Sequence, residues 1–567
     1  MLVKILAGLV MLSVLVIIHE FGHFVVARLF RVGVPVFSVG MGPRVGGFRW
    51  KGTDYRLSAL PIGGYVQLAG ADPFGEEDPD AYVDPAEDFM QKPVWQRFLV
   101  MLAGPAANLA LPLLILSAIL MAGEQRPDTV IGMVLPDSPA ERVGLHPDDR
   151  ILTVNDAPVD IWLDFARALR RVEGQDVELL VERDGVQRSV TLPGSAITLT
   201  ADRFTDLRSV GLSWMNVSTQ VGVDDPSSPA ARAGLRTGDG IVEVDGQPVE
   251  KWRDLMDALD GDVHEVTYRR AQSDEDDVES HTTTLRADPE WHPRAGDPHG
   301  AKFGFIPVML FVGAYGKDSA AEEAGVQLND RILAVDGTMV RTWYDLPIMV
   351  EQTAPPQESV IESQTGCLRA RSERPEPRLL TLTVVRDGEV IDLEFRPRMT
   401  RELVRAMVVY RPLMGIVQYP DAFVDGPLRH KSYSLVAAVP EAARETMLVL
   451  GTTFGVLAQF LTRERQMKET IGGPIAIFDM AGKSAEMGFP SFGRMMAAIS
   501  IGLGIINLLP VPVLDGGQIL FFAIEGVRGR PLSISLREKI QMIGVLFLVA
   551  LIVIVSVNDI SRVISGG

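Results

Sequence analysis

His19, Glu20 and His23 stand in the stretch "IIHEFGHFVVA", residues 17–27, inside an otherwise apolar run. Two histidines four residues apart share one face of a helix. At that spacing both imidazoles reach one zinc ion, and the glutamate between them reaches its bound water. In a soluble chain the pattern is a moderate signal. Inside a membrane span it is a strong one, because a charged residue at mid-bilayer costs about 2.5–3.5 kcal/mol and intramembrane ionisable groups mark function. A merely structural cluster is the weaker reading.

A catalytic zinc site takes three protein ligands and leaves one position for water. The other six histidines, His146, His264, His281, His292, His299 and His430, all fall in the segment 122–440. The topology below puts that segment on the far side of the membrane. The third ligand is therefore expected to be a carboxylate from another membrane segment. "INLLPVPVLDGG" supplies Asp515, where Pro510 and Pro512 break helical hydrogen bonding and Gly516 and Gly517 allow a sharp turn. Alone, Asp515 would read as a helix cap at the interface. Beside a two-histidine site short of a ligand, it reads as the third.

Membrane helices must position these groups. A span needs roughly 20 apolar residues, and four stretches qualify: 4–27, 97–121, 493–511 and 539–558. The mean hydropathy of +0.16 beside 22% charged residues fits such spans joined to polar domains. The first stretch resembles a secretion signal behind Lys4, but no small-residue cleavage site follows, and cleavage would discard the histidines. Arg28, Arg31, Arg44, Arg49, Lys51 and Arg56 follow the first span, and Arg528, Arg530, Arg537 and Lys539 precede the last. Cationic loops face the cytoplasm, so both termini and the segment 122–440 are expected outside, with Asp515 at the cytoplasmic end of the third span. A fifth apolar stretch, 447–461, is then expected to lie along the outer interface or to enter without crossing. Residues 36–70 alternate apolar and polar residues between glycines and read as β-hairpins on the cytoplasmic side. A sheet edge there could hold an extended substrate strand.

The net charge of −19 excludes nucleic acid as a partner. The sole cysteine, Cys367, makes no internal disulfide and completes no thiolate site. The acidic run 274–277 reads as a solvated loop.

The external segment repeats itself. "DSPAERVGLHPDDRILTVNDAPVDIW" (137–162), "SSPAARAGLRTGDGIVEVDGQPVEKW" (227–252) and "DSAAEEAGVQLNDRILAVDGTMVRTW" (318–343) align, with Gly144, Gly234, Gly325 and Trp162, Trp252, Trp343 recurring 90 and then 91 residues apart. That period indicates tandem domains rather than a solenoid. Each copy reads as a short helix, a glycine stop, a strand and a tight turn. The pattern resembles PDZ domains of bacterial envelope proteases, which bind extended peptides at a sheet edge. Peptide binding and a purely spacing or filtering role weigh about evenly.

"HEFGH" in the first span, "GPAAN" at 104–108 and "NLLPVPVLDGG" at 507–517 together resemble the site-2 protease family of intramembrane zinc metalloproteases. The resemblance covers both ends of the chain. It implies a Zn2+ cofactor on His19, His23 and Asp515, Glu20 as general base, and Asn108 and Asn507 as candidate oxyanion or substrate-positioning donors. It also implies a single-pass membrane-protein substrate, such as an anti-sigma factor trimmed beforehand by another protease. The expected home is the bacterial inner membrane, with the site toward the cytoplasm and the PDZ-like copies in the periplasm, excluding substrates that keep a bulky external domain. A third PDZ-like copy departs from the family's pair. Gly502 stands where some members carry an asparagine, so that residue's role does not carry over.

The expected fold is thus a polytopic α-helical membrane protein: four core transmembrane helices, a membrane-associated β-hairpin region and three external α+β PDZ-like domains. The expected divisions are a first membrane half (1–122), three copies (127–204, 205–300, 301–400), a membrane-proximal segment (401–491) and a second membrane half (492–567). A non-enzymatic scaffold would not need Glu20, and a transporter would show more spans and repeated membrane halves.

Overall fold

Among the described residues four helices are long and apolar enough to cross a membrane: Val3–Leu29, Val94–Ala122, Phe489–Leu508 and Ser535–Val557. They coincide with the four expected stretches. The computed structural model describes residues 2–564 except 71–83, 85, 173, 198–206, 208–209, 272–277, 295–296, 298–300, 317, 354–375, 405–406, 462–472 and 531. Cys367 and the acidic run 274–277 lie outside the described residues. The chain divides into two units, Met1–Glu124 with Lys431–Gly567, and Gln125–His430.

In the first unit the described helices of eight residues or more are α1 (Leu2–Leu29), α2 (Val94–Ala122) and α3 (Leu435–Leu461). They continue with α4 (Pro474–Glu486), α5 (Phe489–Leu508), α6 (Asp515–Arg528) and α7 (Ile534–Ile564). With no water to satisfy backbone groups, an apolar run in lipid closes its own hydrogen bonds as helix. α1 and α2 approach closely at Gly22, where an added Cβ would sit 2.3 Å from the Ala103 carbonyl oxygen. α4 packs on the start of α1, where Lys4 pairs with Asp479 at 2.6 Å.

The stretch 447–461 is the second part of one continuous helix, α3, whose Ala438 and Ala442 pack on Leu116 and Leu120 of α2 and on Ala497 of α5. One expectation needs correction. Asp515 does not end the third span: α5 stops at Leu508, and Asp515 opens a separate helix, α6. Gly516 and Gly517 serve close packing there, since added Cβ atoms would lie 2.2 Å from the Leu509 carbonyl oxygen and 2.4 Å from that of Val511.

Between α1 and α2 runs a hairpin of β1 (Val36–Trp50) and β2 (Thr53–Gln67). Its turn, Lys51-Gly52, has φ of 46° and 82°, positive at both central residues as a type I′ turn requires. Both strands fold back on themselves, so Val36–Val39 pairs with residues 64–67 on one side and 54–57 on the other.

The second unit contains three copies of one topology. Each has a four-stranded antiparallel sheet, ordered alike and built around Arg150–Val154, Gly240–Val244 and Arg331–Val335. The short helices before these strands begin at Ser138, Ser228 and Ser319, whose hydroxyls accept N–H bonds from Glu141, Ala231 and Glu322. They stop at Gly144, Gly234 and Gly325, with φ of 82°, 91° and 93°. A buried carboxylate follows in each, Asp149, Asp239 and Asp330, and accepts two bonds from Arg183, Arg270 or Arg386. The same guanidinium donates to the carbonyl of the helix-stop glycine, and its aspartate raises each arginine's pKa above the usual value.

Each copy closes with a strand that the repeat does not mark. Met133–Val134 pairs with Leu212–Ser213, Val221–Gly222 with Ile306–Pro307, and Val312–Tyr315 with Ile416–Gln418. The first core therefore takes in Leu207, Val210 and Leu212, past residue 204. The second takes in Phe303 and Phe305, past residue 300. The third reaches Phe423, past residue 400, and admits Met133 and Leu135 from the start of the first. Ion pairs join the copies in every combination: Asp148 with Lys251 and Arg253, Arg331 with Asp224 and Asp297, and Arg341 with Asp137.

Candidate metal centre

One helix, α1, carries His19, Glu20 and His23. α2 lies beside it with Gly104 and Asn108, and α6 brings Asp515 across the end of the pair. His19 Nε2 stands 3.2 Å from His23 Nε2, and Asp515 Oδ2 stands 2.9 Å and 3.4 Å from them. Both histidines are buried. Among the described residues this is the only group of three or more His, Cys, Asp or Glu side chains close enough to share a metal ion. The described histidines of the second unit take no part in it.

The tautomers can be read from the partners. His23 Nδ1 is 2.7 Å from the Val100 carbonyl oxygen, so it carries the proton and leaves the Nε2 lone pair facing inward. His19 Nδ1 faces the amides of Asn108 at 3.2 Å and Asn507 at 3.5 Å. The Oδ1 of Asn108 is buried and without a partner. The two ends of an amide are alike in shape, and a half-turn sets this oxygen to accept from His19 Nδ1–H. Both imidazoles then present Nε2 lone pairs toward a carboxylate oxygen that is itself buried without a hydrogen bond. Three converging lone pairs call for a cation. Ligands of a tetrahedral zinc at about 2.0–2.1 Å stand roughly 3.3 Å apart, close to the three separations here.

The surroundings keep that space open. A Cβ on Gly104 would lie 2.3 Å from His23 Nε2 and 2.9 Å from His19 Cε1, so only glycine lets α2 pass the imidazoles. Ser500 of α5 donates to the Asn108 carbonyl oxygen at 2.7 Å, and both residues are fully buried. Glu20 turns toward the hairpin and accepts the Val66 N–H on Oε2 at 3.0 Å. Gly502 has open space where a side chain would begin.

All six residues singled out in the sequence gather here except that Glu20 leans to β2 rather than into the triangle. Three supporting contacts were not legible. The Val66 donor is a backbone group, the Gly104 clearance depends on how α2 crosses α1, and an Arg97–Glu525 pair spans 428 residues of sequence. Arg97 NH2 donates to Glu525 at 2.7 Å, with Arg97 buried and Glu525 mostly so, and so ties α2 to the helix that Asp515 opens.

Comparison with known proteins agrees with this geometry. The model of peptidase family M50 matches residues 7–551. A protein of Ralstonia nicotianae named "putative zinc metalloprotease" is 28% identical over 99% of both chains. One of the same description from Neisseria meningitidis is 27% identical, again over 99% of both. The regulator of sigma-E protease RseP of Salmonella typhimurium is 26% identical over 98% of both. The chain belongs to peptidase family M50, the site-2 proteases. It is an intramembrane zinc metalloprotease, with Zn2+ as its cofactor.

Proposed function

We propose that this enzyme is an endopeptidase that cuts single-pass transmembrane proteins, such as an anti-sigma factor already trimmed by another protease. In this reading His19, His23 and Asp515 hold the zinc. The observation that carries it is the buried triangle of three lone pairs with a glutamate on the adjoining residue of the same helix. Bound zinc would polarise the scissile carbonyl and acidify water beside it. Glu20 takes the proton from the attacking water and returns it to the departing amine. Its Oε2 is occupied by the Val66 N–H, which leaves Oε1 for that proton. Asn108 and Asn507 face the Nδ1 edge of His19, away from the triangle. That placement supports a role in holding the imidazole, as outer partners of metal-bound histidines do, over donation to an oxyanion.

The enzyme would sit in the bacterial inner membrane, its metal centre toward the cytoplasm and the three repeats in the periplasm, which the cationic loops support. The repeats resemble PDZ domains in their sequence pattern, and would limit access to substrates without a bulky external domain. The test is cleavage of a single-pass reporter by purified enzyme. Glu20→Gln should abolish cutting while zinc stays bound, and a chelator should abolish it by removing the metal. Cutting that survives both would refute the assignment.

A further inference from the structure

We propose that the hairpin between α1 and α2 carries a binding site for the phosphodiester headgroup of an anionic phospholipid. A cavity of about 520 Å³ opens beside its turn, lined among others by Arg49, Trp50, Lys51, Asp54 and Arg56. Residues 28–67 contain six cations, Arg28, Arg31, Arg44, Arg49, Lys51 and Arg56, against one acid, Asp54, in a chain whose net charge is −19.

The cations are not equivalent. Arg44 and Arg56 flank the buried Asp54 carboxylate at 3.5 Å and 3.2 Å, so that acid is already neutralised twice over. Arg28 donates to the Lys51 carbonyl oxygen and the Thr53 hydroxyl, and Thr53 in turn donates to the Val34 carbonyl oxygen. These bonds fix the turn. Arg49 and Lys51 are both exposed, make no ion pair among the described residues, and open on the cavity. Membrane orientation requires only a number of cations near a span. It does not require two unpaired ones on a braced turn beside a cavity.

The neighbouring apolar surface favours a lipid over free phosphate. Val45, Phe48 and Trp50 are 68%, 63% and 57% exposed, and Lys51 Nζ lies 4.7 Å from the Trp50 ring centre. Aromatic side chains beside cations settle at the headgroup level of a bilayer. The hairpin begins at Val36, a few residues after α1 leaves the membrane at Leu29, so bilayer lipid is always within reach.

The test is native mass spectrometry of the full-length enzyme titrated with phosphatidylglycerol or with phosphatidylcholine of the same acyl chains. Wild type should bind phosphatidylglycerol more tightly. Each cation near an anionic surface is worth about 1 kcal/mol, so Lys51→Gln should weaken that binding about fivefold. Arg49→Gln with Lys51→Gln should weaken it about thirtyfold, leaving phosphatidylcholine unchanged. Arg236→Gln with Arg269→Gln, an equal loss of exposed charge in the external unit, should change nothing. Unaltered phosphatidylglycerol binding in the hairpin variant, or an equal loss in the control, overturns the proposal. Displacement of the lipid by inorganic phosphate at equal concentration would also overturn it, by showing a free-phosphate site.

Discussion

Replacing Glu525 with leucine tests whether the metal centre is held from a distance. Glu525 lies in α6, ten residues after Asp515. Its carboxylate accepts from Arg97 at 2.7 Å and 3.3 Å, and the two side chains are 12% and 6% exposed. Arg97 also donates to the Lys92 carbonyl oxygen and lies 4.9 Å over the Phe522 ring. Arg537 approaches the same ring at 5.6 Å. The substitution leaves two guanidinium groups around one ring without their carboxylate. Removing one partner of a buried pair costs about 3–5 kcal/mol. If α6 relieves that cost by shifting away from α2, Asp515 leaves the triangle, and the penalty falls on zinc binding. Zinc affinity should then drop between about 10²- and 4 × 10³-fold, at roughly 1.4 kcal/mol per factor of ten. Chelator competition with zinc content read by mass spectrometry measures this directly, alongside the unfolding temperature. A variant that melts earlier but holds zinc as tightly as wild type when folded would refute the positioning role. So would one unchanged in both respects.

Two further substitutions probe other parts of the fold. Gly104→Ala forces a methyl group to within 2.3 Å of His23 Nε2, so the purified protein should contain almost no zinc and show no cleavage while keeping its helical circular dichroism. Asp239→Asn removes the charge that holds Arg270 across the second repeat, where the aspartate is buried and the arginine about a quarter exposed. It should cost about 2–3 kcal/mol, the range being lowered from that of a fully buried pair by solvent around the arginine. Hydrogen exchange of the amides in Gly240–Val244 should accelerate by the corresponding factor.

The candidate metal site was legible because its residues are set by local spacing or tied to conspicuous breakers. His19 and His23 are set by helical spacing alone, and Asp515 stands out between prolines and glycines. What α6 does was hidden, because "LDGG" has the composition of a loop. Only packing against the Leu509 and Val511 carbonyls shows that those glycines start a helix. The repeats were legible through Gly144, Gly234 and Gly325, but the arginines answering Asp149, Asp239 and Asp330 were not. They lie 34, 31 and 56 residues further on, at separations that no fixed motif describes. The closing strands were missed for a related reason, being two or three residues long with no shared sequence.

The pairwise links among the three repeats give the second unit a property that a row of beads lacks. In an open row, each end module can be gained or lost by breaking one junction. Here the first repeat lends Met133 and Leu135 to the core of the third, and each repeat is salt-bridged to both others. Excising any one severs two junctions and uncovers surface on both survivors. A chain built this way cannot be shortened by a single clean deletion, so the passage between two-copy and three-copy forms demands that both remaining faces be rewritten together. The number of repeats is in this sense a ratchet, easier to keep than to change.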